Sequence, residues 1–193
     1  MALGSQGWIV IDEFLSQSLV QQLREESRET FAQGQFHVAG LGHGNDRVID
    51  TQIRNDRVKW LDVETATSAQ SAYLARLEAL RLNLNRSLQL GLFELECMLA
   101  VYPAGSFYKR HRDQFRGIGL RTVSVITYLN ADWEPGNGGE LRLYHQPGDD
   151  TQFQDIAPLG GRLVCFLSEE FEHEVLTAKR ERLSLTGWFK QRP

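Results

Sequence analysis

The chain has 193 residues, which is the size of one ordinary domain with a hydrophobic core of its own. Hydrophobic residues make up 41% and charged residues 24%, a balance that excludes a disordered chain and a fibrous repeat. The formal net charge of -4 excludes a strongly basic protein, so we expect neither nucleic acid nor a membrane as a partner.

Two leucine-rich patterns predict helices in the first half of the chain. The first repeats leucine at a spacing of four from Leu15 to Leu23, with Ser16 or Ser18 available as an N-cap. The second follows three-and-four spacing and is predicted to stop at Gly91. Its apolar members are Tyr73, Leu74, Leu77, Leu80, Leu84 and Leu88.

Short strand-like segments separated by turn signals dominate the second half of the chain. The predicted strands are Leu95–Tyr102, Thr122–Leu129, Glu140–Tyr144, Arg162–Leu167 and Leu183–Lys190, with Arg57–Leu61 as an earlier one. Such punctuation is typical of a barrel or jelly roll. We therefore expect a single α+β domain over residues 1–193, with helical support over about 1–91 and a jelly-roll core over about 92–191.

The two cysteines, Cys97 and Cys165, lie far apart in apolar stretches, which predicts buried free thiols rather than a disulfide. No run approaches the roughly 18 apolar residues that span a bilayer, and the N-terminus lacks the pattern of a signal peptide. We therefore expect a cytoplasmic protein, and in the absence of an apolar seam we expect a monomer.

The segment His111-Arg112-Asp113 is the first candidate for chemistry. On a strand, residues i and i+2 point the same way, so an imidazole and a carboxylate could converge on one metal ion. His173 is the candidate third ligand, and on ligand chemistry alone His145 could replace it. Two histidines and one carboxylate suit the Fe(II) of non-haem oxygenases, while zinc with a water molecule is the rival.

Arg182, nine residues beyond His173, decides between these readings. It shares its side of the last predicted strand with Ser184, Thr186 and Trp188. By itself an arginine there fits a surface salt bridge with a nearby glutamate, Glu181 or Glu174. Inside a barrel, however, it would need an anion, and a dicarboxylic cosubstrate bound to iron would supply one. Tyr128, on the same face as Ser124 and Ile126, could be a second donor.

From about Ile53 to Phe189 the chain resembles the 2-oxoglutarate- and Fe(II)-dependent dioxygenases. Within them it is most similar to the prolyl 4-hydroxylases of the hypoxia-sensing type and their bacterial counterparts. The resemblance is carried by the stretches IRNDRVKW, MLAVYPAGSFYKRHRD, RTVSVITYLNADW, GGELRLYH, DIAPLGGRLVCFLS and HEVLTAKRERLSLTGW, in matching order. It implies a double-stranded β-helix (jelly-roll) fold that hydroxylates a prolyl residue in a protein or peptide, with succinate and CO2 as coproducts.

The resemblance also implies roles for single residues. His111, Asp113 and His173 would hold Fe(II), while Arg182 and Tyr128 would bind the distal carboxylate of 2-oxoglutarate. The residues that would line the cosubstrate pocket are Tyr102, Thr186 and Trp188, together with Met98, Ile126 and Leu141. At the entrance, where the substrate is expected, the matching residues are Arg54, Asp56 and Arg121. A mobile loop is expected over about 39–52. O2 is the other cosubstrate, and the family allows ascorbate as a reductant.

Two alternatives stay open at this point. The same chemistry could act on a free amino acid, another small molecule or a nucleobase. The nucleic-acid branch tends to carry a second Arg six residues after the cosubstrate Arg, where this chain has Trp188. A non-catalytic jelly-roll module that binds a metal or a ligand is the other alternative.

Overall fold

The computed structural model describes residues 2–41, 48–114 and 121–192. In them the helices are α1 (Ala2–Gln6), α2 (Gln17–Ala32) and α3 (Ser68–Leu88). The strands are β1 (Trp8–Ile11), β2 (His37–Val38), β3 (Arg57–Trp60), β4 (Leu92–Tyr102), β5 (Tyr108–His111), β6 (Arg121–Tyr128), β7 (Leu141–Tyr144), β8 (Phe153–Ile156), β9 (Leu163–Leu167), β10 (His173–Val175) and β11 (Arg182–Gln191).

The strands form two antiparallel sheets. The large sheet has the order β1-β9-β6-β11-β4-β3-β2, and the small sheet has the order β5-β10-β7-β8. Ile126 and Val164 of the large sheet pack with Leu141 and Leu143 of the small one, so the two sheets lie face to face. This arrangement is that of a jelly roll.

The opposite face of the large sheet packs against the helices. Leu23 from α2 and Leu77 from α3 share one buried cluster with Val125 and Leu185 from the central strands. Leu3 of α1 belongs to the same cluster. The helices therefore cover the outer face of the large sheet. The inner face, which looks towards the small sheet, remains available to form a cavity.

Side chains and a left-handed residue set the ends of the two long helices. Ser16 accepts a hydrogen bond from the Leu19 N–H at the start of α2, and Thr67 caps α3 in the same way. The stop of α3 differs from the expectation of Gly91, because Gln89 already takes the left-handed conformation at φ 54°. A non-glycine residue in that conformation carries a small energetic cost.

The predicted strands are all present, and their ends differ from the prediction by at most three residues. Five further strands were missed: β1, β2, β5, β8 and β10. Each has only two to four residues, which is at or below the shortest length at which an alternating pattern can be recognised. Two of them, β5 and β10, carry the histidines of the candidate site.

Cys97 and Cys165 are both free and buried, as expected. Burial raises the pKa of each thiol to about 12, so both stay protonated at neutral pH. Among the helices that the structure describes, none is long and apolar enough to cross a bilayer.

Candidate metal centre

A cavity of about 470 Å³ lies between the two sheets, a size typical of sites for small molecules. Its walls come from both sheets and from the segment before β3. Residues with polar or charged side chains in its lining are His37, Arg54, Glu96, Tyr102, Tyr108, His111, Arg112, Asp113, Arg121, His173, Arg182 and Thr186.

His111, Asp113 and His173 meet at one end of this cavity. One ligand atom from each lies within 4.8 Å of the others. The two histidines are paired directly across β5 and β10. The expectation that His111 and Asp113 share a strand is wrong, because β5 ends at His111 and Asp113 lies in the bend that follows. The bend brings the carboxylate to the histidines, with 3.6 Å from Asp113 Oδ1 to His111 Nε2 and 3.6 Å from Oδ2 to His173 Nε2.

Backbone carbonyls set the tautomer of both imidazoles. His111 Nδ1 lies 2.7 Å from the carbonyl oxygen of Lys109, and His173 Nδ1 lies 3.4 Å from that of Phe171. A carbonyl oxygen can only accept, so each Nδ1 carries the proton and donates it. Each Nε2 lone pair therefore faces the cluster and is free to bind a metal.

Burial and mutual charge set the protonation of the cluster. Burial, together with the charge of His111, lowers the pKa of His173 to about 4, so this imidazole is neutral at pH 7. Burial alone would raise the pKa of the Asp113 carboxyl. The neighbouring His173 and His111 and a hydrogen bond from Ser124 nevertheless hold that pKa well below its usual range. The cluster thus offers neutral nitrogen and ionised oxygen, the forms that bind a divalent cation.

Arg182 lies in the same cavity and is 1% exposed. Its Nε donates to the carbonyl oxygen of Gly139 at 2.8 Å, and Nη1 donates to Ser184 Oγ at 3.2 Å. The alternative interpretation, a surface salt bridge between Arg182 and Glu181, is wrong, since Glu181 pairs with Arg28 instead. Among the residues that the structure describes, no carboxylate lies within ion-pair distance of Arg182. A buried cation of this kind calls for an anionic ligand.

Two of the residues expected around the cosubstrate, Tyr102 and Tyr128, lie beside Arg182. Its guanidinium lies 4.8 Å from the ring centre of Tyr102 and 5.0 Å from that of Tyr128. Burial raises the pKa of Tyr128, whose hydroxyl has no hydrogen-bond partner in the described part of the chain. The buried Trp188 Nε1 is unpaired in the same sense. The residues of this group that line the cavity are Tyr102, Trp188, Thr186, Met98, Ile126 and Leu141.

The three residues expected at the entrance occupy different environments. Arg54 lines the cavity and donates to both oxygens of Asp56, at 2.8 and 2.6 Å. Asp56 is a correction to the expected entrance position: it is fully buried because its carboxylate neutralises Arg54. Arg121 lines the cavity, pairs with Glu96 at 3.1 Å and lies 3.7 Å from the ring centre of Trp188.

Several residues of the site escaped the sequence reasoning. Tyr108 stacks on His111, with ring centroids 3.5 Å apart and 14° between the planes. No pattern could have shown this, because Tyr108 is three residues from His111 in a four-residue strand. Trp60 lies opposite Met98 in the register of β3 and β4 and lines the cavity while 44% exposed. Its shared parity with Val58 was the signal that could have found it.

Two further expectations concern residues away from the cluster. His145 is exposed, contacts Trp8 and lies outside the group of possible ligands, so it does not replace His173. The expected mobile loop over 39–52 includes residues 42–47, which lie outside the described residues. Leu41 and Val48, the described residues on either side of 42–47, exchange backbone hydrogen bonds of 2.8 and 2.9 Å.

The donor set fits a divalent metal, because two imidazoles and one carboxylate match the facial arrangement of non-haem iron sites. The unpaired Tyr128 hydroxyl beside the buried Arg182 fits a carboxylate group. The metal-binding cluster and Arg182 line the same cavity, so a single small ligand could reach both.

Comparison with known proteins agrees with this chemistry. The family model for the 2OG-Fe(II) oxygenase superfamily matches residues 97–190. The crystal structure of a Pseudomonas putida prolyl-4-hydroxylase is 43% identical, with a TM-score of 0.88 over 100% of this chain and 96% of that one. The chain belongs to this superfamily. Fe(II), 2-oxoglutarate and O2 are the cofactor and cosubstrates of these oxygenases.

Two further relatives extend the comparison within the oxygenase superfamily. A Trichoplax adhaerens prolyl hydroxylase, solved with a hypoxia inducible factor peptide fragment, is 27% identical, with a TM-score of 0.85 over 98% of this chain and 86% of that one. Human Egl nine homolog 1 is 32% identical over 196 residues, which cover 97% of this chain and 44% of that protein. The chain spans about half the length of the curated relatives it matches first, with shares of 44%, 56% and 47%.

Proposed function

We propose that this oxygenase hydroxylates a prolyl residue in a protein or peptide, with 2-oxoglutarate as cosubstrate and succinate and CO2 as coproducts. One observation supports the proposal most strongly. The cluster of His111, Asp113 and His173 shares a cavity with the buried Arg182, which has no carboxylate partner among the described residues. A relative named as a prolyl-4-hydroxylase and another solved with a peptide support the choice of substrate.

In this proposal His111, Asp113 and His173 hold the iron. Bound iron with 2-oxoglutarate supplies the oxidising chemistry, in which O2 is consumed, the cosubstrate is decarboxylated and an oxygen atom enters a substrate C–H bond. The chain contributes the geometry. Two Nδ1–H groups anchored on backbone carbonyls present Nε2 without rearrangement, and the ionised Asp113 offsets the charge of the cation.

Arg182 and Tyr128 bind the distal carboxylate of the cosubstrate. The guanidinium is held by Gly139 and Ser184, so its orientation is fixed before a ligand arrives. The high pKa of Tyr128 keeps its hydroxyl protonated, and therefore a donor. Tyr102, Thr186 and Trp188 line the same cavity, where their bulk excludes water.

The substrate reaches the cavity past residues at its rim. Arg121 is fixed between Glu96 and the Trp188 ring, and Trp60 is exposed beside them. Burial alone would raise the pKa of Glu96, but Lys190 and Arg121 hold it below its usual range. This charged and aromatic rim suits a peptide better than a small apolar molecule. Arg54, which is hydrogen-bonded to Asp56, lies over the Tyr108 ring at 4.2 Å from its centre and so holds this tyrosine in place.

We also propose that the chain works as one domain in the cytoplasm. The cluster of buried residues that runs from Leu3 to Phe189 supports a single core. The two free, buried thiols, Cys97 and Cys165, support a reducing compartment.

The first test is an anaerobic titration of the Fe(II)-loaded protein with 2-oxoglutarate, followed by visible absorption. We expect a weak, saturable charge-transfer band that is lost in His111→Ala and in Arg182→Ala. His145→Ala is the matched control, because that histidine is exposed and outside the cluster, and it should keep the band. A folded, iron-bound protein without a band would contradict the proposal.

The second test concerns the substrate. Proline-containing peptides and free proline are incubated with Fe(II), 2-oxoglutarate and O2, and the products are analysed by mass spectrometry. We expect the mass gain of one oxygen atom on a peptidyl proline, together with one succinate per hydroxylation. Oxidation of free amino acids alone would replace the peptide by a small-molecule substrate.

A further inference from the structure

Two buried serines stand behind the metal cluster in a line that ends on Asp113. Ser124 Oγ donates to Asp113 Oδ2 at 2.7 Å, and Ser168 Oγ lies 2.8 Å from Ser124 Oγ. Ser124 and Ser168 are both 0% exposed. The sequence places Ser124 on the cavity face of its strand, but nothing in it points to Ser168.

The number of available protons determines which serine donates and which accepts in these two hydrogen bonds. A carboxylate can only accept, so the single O–H of Ser124 is spent on Asp113. Ser124 Oγ must then accept from Ser168, whose own O–H donates to it. Hydrogen bonds that point the same way polarise and strengthen one another in a buried environment. The strengthened end of this chain is the bond to Asp113.

The line also connects the segments that carry two members of the cluster. Asp113 lies in the bend after β5, and Ser124 lies in β6. Ser168 follows β9 at the start of the turn that leads to His173, and its N–H donates to the Thr122 carbonyl oxygen at 3.0 Å. Ser168 is thus anchored to β6 by its backbone and to Ser124 by its side chain.

We propose that Ser124 and Ser168 are positioning residues of the metal centre. Ser124 holds Asp113 Oδ2 and so fixes the rotation of the carboxylate towards the metal, while Ser168 fixes the direction of the Ser124 hydroxyl. The inference rests on the proposed function, in which Asp113 is a metal ligand. Partners that orient a ligand in this way typically change metal affinity by about 10–100-fold when they are removed.

A purely structural role would satisfy the buried hydroxyls without affecting the metal. Thr127 provides the matched control for that alternative. It lies on the same strand and is 0% exposed, but its hydroxyl accepts from Tyr73 on the helix-facing side. Thr127→Val therefore removes a buried hydroxyl of β6 without touching the cluster.

The experiment titrates the metal-free protein with Co(II), whose visible absorption reports the ligand geometry, in the absence of air. We expect Ser124→Ala to raise the Co(II) Kd about 10–100-fold and to change the visible spectrum. Ser168→Ala should shift both in the same direction by a smaller amount. Thr127→Val should keep the wild-type Kd and spectrum, although its thermal unfolding midpoint falls.

The possible outcomes distinguish the positioning role of the two serines from the proposed function. If the wild-type protein binds Co(II) and Ser124→Ala matches it in Kd and spectrum, the positioning role is overturned while the proposed function stands. If Ser124→Ala does not fold, Ser168→Ala decides by the same two readouts. A wild-type chain that binds no Co(II) overturns the proposed function, and the positioning role with it.

Discussion

The two faces of β11 share one backbone and differ in what their side chains do. Leu185 and Phe189 point to the helices and are 0% exposed in an apolar cluster. Arg182, Thr186 and Trp188 alternate with them and line the cavity. Because successive side chains of a strand point to opposite faces, residues next to each other can serve stability and chemistry separately. Substitutions on the two faces should therefore have different effects.

The largest effect should come from the cavity side, at the metal cluster. His173→Ala removes a buried imidazole whose Nε2 faces Asp113, so we expect metal-dependent turnover to fall to background. Circular dichroism of the metal-free protein should show an intact fold. His145→Ala should keep wild-type turnover, since this histidine is exposed. Turnover of 2-oxoglutarate at the wild-type rate by His173→Ala would mean that another donor is the ligand.

On the helix side the expected effect is on stability alone. Leu185→Ala leaves a void in a fully buried cluster, so we expect the free energy of unfolding to fall by about 2–5 kcal/mol. Urea denaturation measures this change. The folded fraction should bind 2-oxoglutarate with the wild-type Kd, and a weaker Kd would break the separation of the two faces.

Arg182→Ala tests the cavity face of the same strand. Loss of a charge-assisted contact to a carboxylate should raise the concentration of 2-oxoglutarate required by about 10–100-fold. The iron requirement should change little, because Arg182 is not part of the metal cluster. Parallel titrations of turnover against each ligand measure the two requirements. Equal weakening of both would indicate that Arg182 supports the fold rather than the cosubstrate.

The smallest effect lies at the end of α3, far from the cavity. Gln89 takes φ 54°, a conformation that glycine adopts without strain. We expect Gln89→Gly to stabilise the protein by about 0.5–1 kcal/mol, as a higher urea midpoint at constant slope. Binding of 2-oxoglutarate should be unchanged. A loss of stability would show that the side chain contributes more than the backbone costs.

Long alternating strands made much of this arrangement predictable from the sequence. The alternation of Arg182 with Leu183 separated a polar from an apolar face, and the structure shows both. The chemistry of His111, Asp113 and His173 likewise pointed to a common ion. These features depend on local pattern and on ligand type, which a sequence carries directly.

The missed features depend on which distant segments meet. β5 and β10 are too short for a pattern, and their pairing places His111 beside His173 through the register of two remote segments. Asp113 reaches the cluster from a bend rather than from a strand. Asp56 is buried because it neutralises Arg54, a pairing that two exposed entrance residues would not need. Tertiary contacts decide each of these, so no local signal could reveal them.

The position of β11 between β4 and β6 has a consequence for the order in which the site becomes rigid. Its amides are hydrogen-bonded on both sides along most of its length, whereas β5 is a four-residue edge strand and β10 has three residues. Local opening is easiest where a strand is short or unpaired, so amide exchange should be slower in the part of β11 that is paired on both sides, from Ser184 to Phe189, than in β5 around His111. The proposed cosubstrate pocket is therefore built on a strand with partners on both sides, whereas the two histidines lie on short strands whose backbone opens more easily, although their imidazoles are already oriented. Metal binding should slow exchange in β5 and β10 while β11, already protected, keeps its rate.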